Sequence, residues 1–424
     1  MIMPRLTSLV QSAMAKSPIT PIIVETRNLR RLREEIIPLL PINTTNNLRS
    51  LFPRLPISMD AIASLREIPT FNMLGFVASQ LLIEQLAQNP IVDKIYLDRV
   101  FQPTQTVSAS GKFYDSLTKK VFTSTFWTRK LVGADIANSK GYTGKNVSVG
   151  IIDTGGTKFH QQTTHMQMYT AMPGLYTDAN GHGQHVASTA CGKLARDPFL
   201  QVDCEGMAPE ASLISVKALG FILGYGRDTD LLKGLEISLQ LKCDIVNLSV
   251  GSSEVTEQAV DVPLSSVISK LTAAGMMVVT SAGNSGPNPQ TITSPGTLPD
   301  VITVGAWDEL AGTIASFSSR GPAYDQVKPD IVAPGVEVHS SLIGILDIQS
   351  DMKEQRFGYL SGTSMAAPHV TGLLACAKQM FSERGLNLDT SLAKTIFAAQ
   401  GQTKNNDTGW GLINWSMFEN YLKK

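Results

Sequence analysis

The stretch VSVGIIDTGGT, residues 147–157, places one carboxylate, Asp153, at the end of a short apolar run and follows it with a threonine and two glycines. A β-branched run of this length reads as a buried strand. Two chemistries can begin with a carboxylate at a strand end. It is either one of a pair that share a proton or the acid that orients a histidine. The partners that decide between them lie elsewhere in the chain.

Four further runs have the character of the first: ASLISVKAL (211–219), CDIVNLSV (243–250), GMMVVTSAG (275–283) and DVITVGA (300–306). Between the first two of these, Leu232, Leu235 and Leu239 recur at helical spacing after the capping residues of GRDTD (226–230). Alternating strand and helix predicts an α/β fold with a mainly parallel central sheet and helices on both faces. Active groups in such sheets gather beyond the carboxyl ends of the strands. Asp153 sits at one such end, Ser249 at another and Asn284 just past a third.

A paired-carboxylate site of the aspartic-protease kind needs a second Asp-Thr-Gly after an apolar strand. The only other copy starts at Asp407, behind the polar GQTKNN, which cannot be a buried strand. The histidine alternative fares better. In NGHGQHVAST (180–189) His182 lies between two glycines at the expected start of a helix, placed to reach both a nucleophile and an acid. A zincin-like metal pair would be spaced by four with a glutamate between, whereas His182 and His185 are three apart with Gln184 between. In LSGTSMAAPHVTGLLACAKQM (360–380) Pro368 predicts a helix that starts near Ser364, with the proline in its first turn. A serine there meets unpaired N–H groups and the positive end of the helix dipole. In VVTSAGNSG (278–286) Asn284 stands between Gly283 and Gly286, where its amide can project into a cleft beside a backbone N–H as an oxyanion hole.

These motifs, in the order Asp153, His182, Ser364, resemble those of the subtilisin-like serine peptidases (subtilases, peptidase family S8) over roughly residue 127 to the end. The resemblance implies a three-layer subtilisin-like fold. It makes Ser364 the nucleophile, His182 the general base and then acid, Asp153 the orienting acid, and Asn284 with the N–H of Ser364 the oxyanion hole. It places the substrate as an extended strand along VNLSVG, with Ser249, Val250, Gly251, Ser281, Ala282, Gly283 and Thr293 as substrate-binding residues. Thr293 falls about where the family often has glycine, which implies a shallow pocket favouring medium apolar residues. Gln184 and Ser188 depart from the threonine and glycine usual after the catalytic histidine. The stretches GGTKFHQQ (155–162) and ACGKLARDPFLQVDCEG (190–206) do not match the family's calcium loops, so structural calcium is in doubt; the triad needs no cofactor for its chemistry.

The N-terminal part is different in character. SPITPIIVETRN (17–28) ends a poorly patterned start, and LGFVASQLLIEQLAQNPIVDKIYLDRVF (74–101) reads as strand, amphipathic helix, strand. This small α/β unit resembles the family's I9-type inhibitory propeptide. QPTQTVSASGKFYDSLTKK (102–120) has linker composition. The expected organisation is a poorly defined N-terminus at 1–18, a propeptide domain at 19–102, a linker with a self-processing site at 103–126, and a catalytic domain at 127–424. The alternative to a self-processing endopeptidase zymogen of fairly broad specificity is a catalytically silent subtilase fold with a binding or regulatory role.

Composition bounds the partners. Of 424 residues, 36 are Lys or Arg and 36 Asp or Glu, so no net field steers the chain to nucleic acid or anionic lipid. No stretch approaches the ~20 apolar residues that span a bilayer. The expected partners are protein or peptide substrates and the chain's own propeptide, with no nucleic acid and no membrane. The first thirty residues lack a secretory apolar core, which tilts the expected location toward the cytoplasm. Cys191, Cys204, Cys243 and Cys376 read as buried thiols, with a Cys191–Cys204 bridge the open alternative.

Overall fold

A computed structural model describes residues 5–17, 19–40, 65–104, 124–174, 176–220, 223–252, 262–344 and 356–423. The N-terminal unit comprises α1 (Ser8–Met14), β1 (Ile19–Thr26), α2 (Leu29–Ile36), β2 (Arg66–Ile68), β3 (Met73–Ser79), α3 (Gln80–Gln88) and β4 (Val92–Leu97). Its strands form an antiparallel sheet in the order β2-β3-β1-β4. Along β1 and β3 alternate side chains point to opposite faces. Ile22, Val24, Leu74 and Phe76 bury one face against Val10, Leu32 and Ile83 of the helices. Ile23, Met73 and Tyr96 turn the other face toward the larger unit.

The strand, helix, strand reading of 74–101 matches β3, α3 and β4. The poorly patterned start does not: residues 19–26 are the strand bonded on both sides, to β3 and to β4. Pro21 and the polar Thr20 and Glu25 hide it from a pattern search, since proline lacks the N–H of a ladder residue. The Pro21 carbonyl instead accepts the N–H of Asp98. Residues 8–14 likewise form a helix, with Val10 in the core.

After β4 the chain runs into β5 (Val100–Pro103), which leaves this sheet. Of the expected linker, Pro103 ends β5 and Thr104 follows it, Thr125 and Phe126 begin the next helix, and 105–123 lie outside the described residues. Then follow α4 (Thr125–Leu131), α5 (Ala134–Ser139), β6 (Ser148–Asp153), β7 (Gln167–Thr170), α6 (His182–Cys191), β8 (Ala195–Arg196), β9 (Asp203–Cys204) and β10 (Ser212–Lys217). Next come β11 (Gly226–Arg227), α7 (Asp228–Gln240), β12 (Ile245–Leu248), β13 (Val250–Gly251), α8 (Pro263–Ala273), β14 (Met277–Ser281) and β15 (Ile302–Asp308). The last elements are β16 (Thr313–Ile314), β17 (Ile331–Pro334), β18 (Val338–Ser341), β19 (Phe357–Leu360), α9 (Thr363–Ser382), α10 (Thr390–Ala398) and α11 (Ser416–Tyr421).

The central sheet runs β16-β15-β14-β12-β6-β10-β7, with β17 also on β15; every pairing is parallel except β15 with β16. All five strands expected from the sequence lie in it. Val149, Ile151, Val279 and Val304 face α6 and α9 on one side. Ile152, Val216, Val246 and Val278 face α7 and α8 on the other, where Ile23, Met73 and Tyr96 of the N-terminal unit join the same apolar cluster. The three layers predicted from strand and helix alternation are present, and the carboxyl ends of β6, β12 and β14 lie side by side.

The cysteines are free thiols and buried. Cys204 lies 3.4 Å from His339 Nδ1, which gives the thiol a partner other than Cys191. Just before β17, the fully buried Asp330 carboxylate is held by Lys328 at 2.7 Å and Lys404 at 2.8 Å, with Lys394 at 3.6 Å. These three cations hold the Asp330 carboxyl well below the usual range despite its burial.

Candidate functional site: a serine triad with a strand across it

Asp153 ends β6 and His182 begins α6, each fully buried. His182 Nδ1 is 2.7 Å from Asp153 Oδ1, which also accepts the N–H of Thr154 at 2.7 Å. A carboxylate accepts, so Nδ1 donates to it and Nε2 is the nitrogen left without a proton. Nε2 has no hydrogen-bond partner. Asp178, passed over in the sequence, holds the start of α6: its Oδ1 accepts the N–H of Asn180 and Gly181, and its Oδ2 that of Gln184. An Asp shortly before a helix of small residues is the signal that marks it. The Nε2–H of His185 donates to the Val338 carbonyl at 3.0 Å, and burial pushes the imidazole down to about 3. Gln184, one of the departures, accepts the N–H of Thr157 and donates to Thr163 and Ser341, tying α6 to β18.

Ser364 is the second residue of α9. The helix starts where the sequence placed it, but Pro368 sits deeper than the first turn. Proline leaves the carbonyl of Ser364 without its helical donor. The hydroxyl of Ser249 donates to that carbonyl at 3.1 Å and so restores the bond. The Ser249 side chain therefore supports the helix, while its own carbonyl accepts the Ser364 hydroxyl at 2.9 Å. A serine hydroxyl has one proton to give, so Ser364 must release Ser249 before it can donate to His182.

Asn284 Oδ1 accepts both the N–H and the hydroxyl of Thr363, at 3.0 and 2.9 Å. Since those groups donate, the amide orientation is fixed and Nδ2 is the free end. Nδ2 is buried and has no partner. The amide thus presents an unsatisfied donor beside the N-terminus of α9, which is an arrangement suited to a developing oxyanion.

The cleft is filled by the chain itself. β5 is the middle strand of a three-stranded antiparallel ribbon, with Gly226 opposite Phe101 and Arg227 opposite Val100 on one side, and Val250 opposite Pro103 and Gly251 opposite Gln102 on the other. Thr104 follows. Its N–H reaches the Ser249 carbonyl at 3.4 Å, and its carbonyl accepts the N–H of Ser364 at 3.2 Å. Its hydroxyl donates to Ser281 Oγ at 2.6 Å and is 2.6 Å from Ser364 Oγ. A methyl group placed on Gly251 would meet Thr104 Cγ2 at 2.8 Å and Thr293 Oγ1 at 2.5 Å, and one on Gly283 would meet Thr293 Oγ1 at 2.8 Å. Thr104 and Thr293 therefore face each other across a small space bounded by the two glycines. Ala282 offers its carbonyl to the N–H of Thr293 at 2.9 Å. The strand β11 was read only as the approach to a helix; its two residues, a glycine and an arginine, give no periodic signal.

The rival second Asp-Thr-Gly is remote in kind as well as place. Asp407 is 65% exposed and pairs with Arg320. Among the described residues no group of three or more His, Cys, Asp or Glu is placed to hold a metal ion, and no helix is long and apolar enough to cross a membrane.

A serine at a helix N-terminus, a buried Asp–His pair and an unpaired asparagine donor are the machinery of a serine hydrolase on an α/β sheet. Residues 144–411 match the Subtilase family (Peptidase_S8), and the chain belongs to that family. It is 37% identical over 267 residues to serine protease AprX of Bacillus subtilis, covering 58% of this chain and 59% of that protein. It is 37% identical over 252 residues to subtilisin DY of Bacillus licheniformis, covering 58% and 81%. The minor extracellular protease Epr of Bacillus subtilis is 29% identical over 345 residues, 81% of this chain and 49% of that protein. This last similarity corrects the tilt toward a cytoplasmic location: a relative that aligns with most of the chain is named extracellular, and the lack of a secretory pattern in the first thirty residues carries no assignment.

Proposed function

We propose that this protein is a serine endopeptidase that cuts its own chain after Thr104 and is then inhibited by the N-terminal unit it has released. The observation that carries the reading is the Thr104 carbonyl, which accepts the Ser364 N–H while Val100 and Phe101 pair with β11 on one edge and Gln102 and Pro103 with β13 on the other. That is the pose of a peptide just before or just after cleavage. The buried, unsatisfied Nδ2 of Asn284 favours an active enzyme over a silent fold, since an orphaned buried donor costs roughly 1–3 kcal/mol unless something in the reaction uses it.

In the reaction, Ser364 Oγ attacks the Thr104 carbonyl carbon and its proton passes to His182 Nε2. Asp153 holds the imidazole in the tautomer that can receive it and stabilises the charge. The oxyanion takes hydrogen bonds from the Ser364 N–H and from Asn284 Nδ2. His182 then returns the proton to the leaving amine of Gln105, and water, activated by the same imidazole, releases Thr104 as a carboxylate. Backbone pairing on both edges of β5 makes binding tolerant of sequence, whereas Thr293 and the Ser281 hydroxyl favour a small, hydroxyl-bearing residue before the scissile bond. In place of the medium apolar preference implied by resemblance, the proposed preference is for threonine or serine.

The test is to express the full chain and Ser364→Ala and follow both by intact mass. Wild type should yield a fragment ending at Thr104 and a partner beginning at Gln105, and Ser364→Ala should stay whole. An intact wild type, or a cut elsewhere, overturns the reading.

A further inference from the structure

The strand in the cleft carries more information than its last residue. Arg99, the sixth residue counted back from the Thr104 carbonyl, is buried against Asp228, the first residue of α7. Its Nε donates to Asp228 Oδ2 at 2.8 Å and its Nη2 to Oδ1 at 2.9 Å, a two-pronged pair. The Arg99 N–H also reaches Oδ2, at 3.1 Å, and the Asp228 N–H returns to the Arg99 carbonyl at 3.1 Å. Two residues on, the Phe101 ring lies 5.1 Å from the guanidinium carbon, on the same side of the strand. Phe101 is itself buried among Leu231, Leu235 and Leu248.

Asp228 belongs to the catalytic unit, and the strand that satisfies it belongs to the segment removed by cleavage. Resting on that reading of the function, we propose that Asp228 forms an arginine-selective recognition site of the released enzyme, taking a guanidinium six residues before the bond to be cut. The carboxylate lies beyond the paired strand positions, so substrate reaching it must be longer than the segment held by β11 and β13. Both its oxygens are committed to one planar group, and a guanidinium matches that fork where an ammonium does not. The apolar pocket beside it, which holds Phe101 here, would seat an aromatic side chain of the substrate whose face meets the same cation. A protein substrate with Arg, two residues later an aromatic side chain, and a small hydroxyl-bearing residue three further on would satisfy all three places at once.

One neighbour competes. Arg227 now donates to the Asp98 carbonyl at 2.8 Å, a bond that leaves with the N-terminal unit. If Arg227 then folds onto Asp228, the site closes and the enzyme shows no preference at this position.

The experiment uses self-processed enzyme from the full chain and three quenched fluorescent peptides: the sequence of residues 98–107, and the same peptide with Arg99→Ala or Arg99→Lys. Casein hydrolysis, compared with Ser364→Ala, reports the peptidase activity independently. The expected result is a kcat/KM on the order of tenfold higher for the arginine peptide than for the alanine peptide, carried by KM, with lysine well below arginine. In Asp228→Asn the ratio of arginine to alanine peptide should fall to about one. Casein hydrolysis with equal rates on the arginine and alanine peptides overturns the recognition site while the function stands, as does Asp228→Asn enzyme that keeps the wild-type ratio. No serine-dependent hydrolysis of casein or peptide overturns the function and this inference with it.

Discussion

Thr293→Gly should reverse the preference of the enzyme for the residue before the scissile bond. Thr293 Oγ1 lies 2.5 Å from where a side chain would start on Gly251 and 2.8 Å from where one would start on Gly283. It therefore occupies the space between two backbones that a longer substrate side chain would need. Removing its side chain costs little in the protein, because its one hydroxyl bond among the described residues, to the Ala282 carbonyl, is long at 3.4 Å. A phenylalanine that could enter would gain about 1.5–3 kcal/mol of burial, or roughly 10- to 150-fold in kcat/KM. The assay compares peptides of residues 98–107 carrying Thr or Phe at position 104, with wild type and Thr293→Gly. Wild type should favour threonine, and the variant should raise phenylalanine by that factor while changing threonine little. A wild type that cuts after phenylalanine as fast as after threonine, or a variant with an unchanged ratio, would refute the pocket as drawn.

Asn284→Ala should fold normally and lose about 10²–10³ in kcat with KM little changed, the magnitude known for this donor in subtilisin, of the same family; wild-type turnover in the purified variant would remove Asn284 from the mechanism. Ser249→Ala strips the donor that satisfies the Ser364 carbonyl above Pro368, and should cost roughly 1–3 kcal/mol in urea unfolding, where a midpoint equal to wild type would show that the carbonyl finds another donor. Burial pushes His160 and His369 down to about 4 and His185 to about 3. Their folded values lie below the unfolded ~6.5, so their contribution to stability is complete above that pH and is lost as pH falls toward 4, by about 1.4 kcal/mol per pH unit for each histidine. Urea titrations of Ser364→Ala between pH 7 and pH 4 should show this decline, and a flat profile would contradict it.

Much of the catalytic unit was legible in the sequence because its signals are local. Five β-branched runs and one leucine periodicity suffice for a parallel sheet, and glycines or prolines mark the places of His182, Ser364 and Asn284. What escaped depends on long-range pairing. β1 is hidden by Pro21 and by polar residues such as Glu25, whose carboxylate accepts the Tyr96 hydroxyl of β4, and β11 by its length of two residues, a strand only because β5 lies against it. The Ser249 hydroxyl looked like pocket lining. Its use depends on a carbonyl freed by Pro368 more than a hundred residues later, which no spacing reveals. Thr104 had no signal at all, being an ordinary residue in a polar stretch until the ribbon sets its carbonyl against Ser364.

The three-stranded ribbon, with the chain's own strand in the middle, has a consequence for timing. In the intact chain, strand and cleft are tethered, and their encounter does not depend on how much protein is present. On the proposed cut after Thr104 they would become two molecules, and the same contacts would be governed by mass action. Cleavage would then be a clock that runs at one rate in every molecule, whereas activity would await dilution. In a crowded pool the released units would recapture one another's enzymes, and the enzyme would come free only where it spreads.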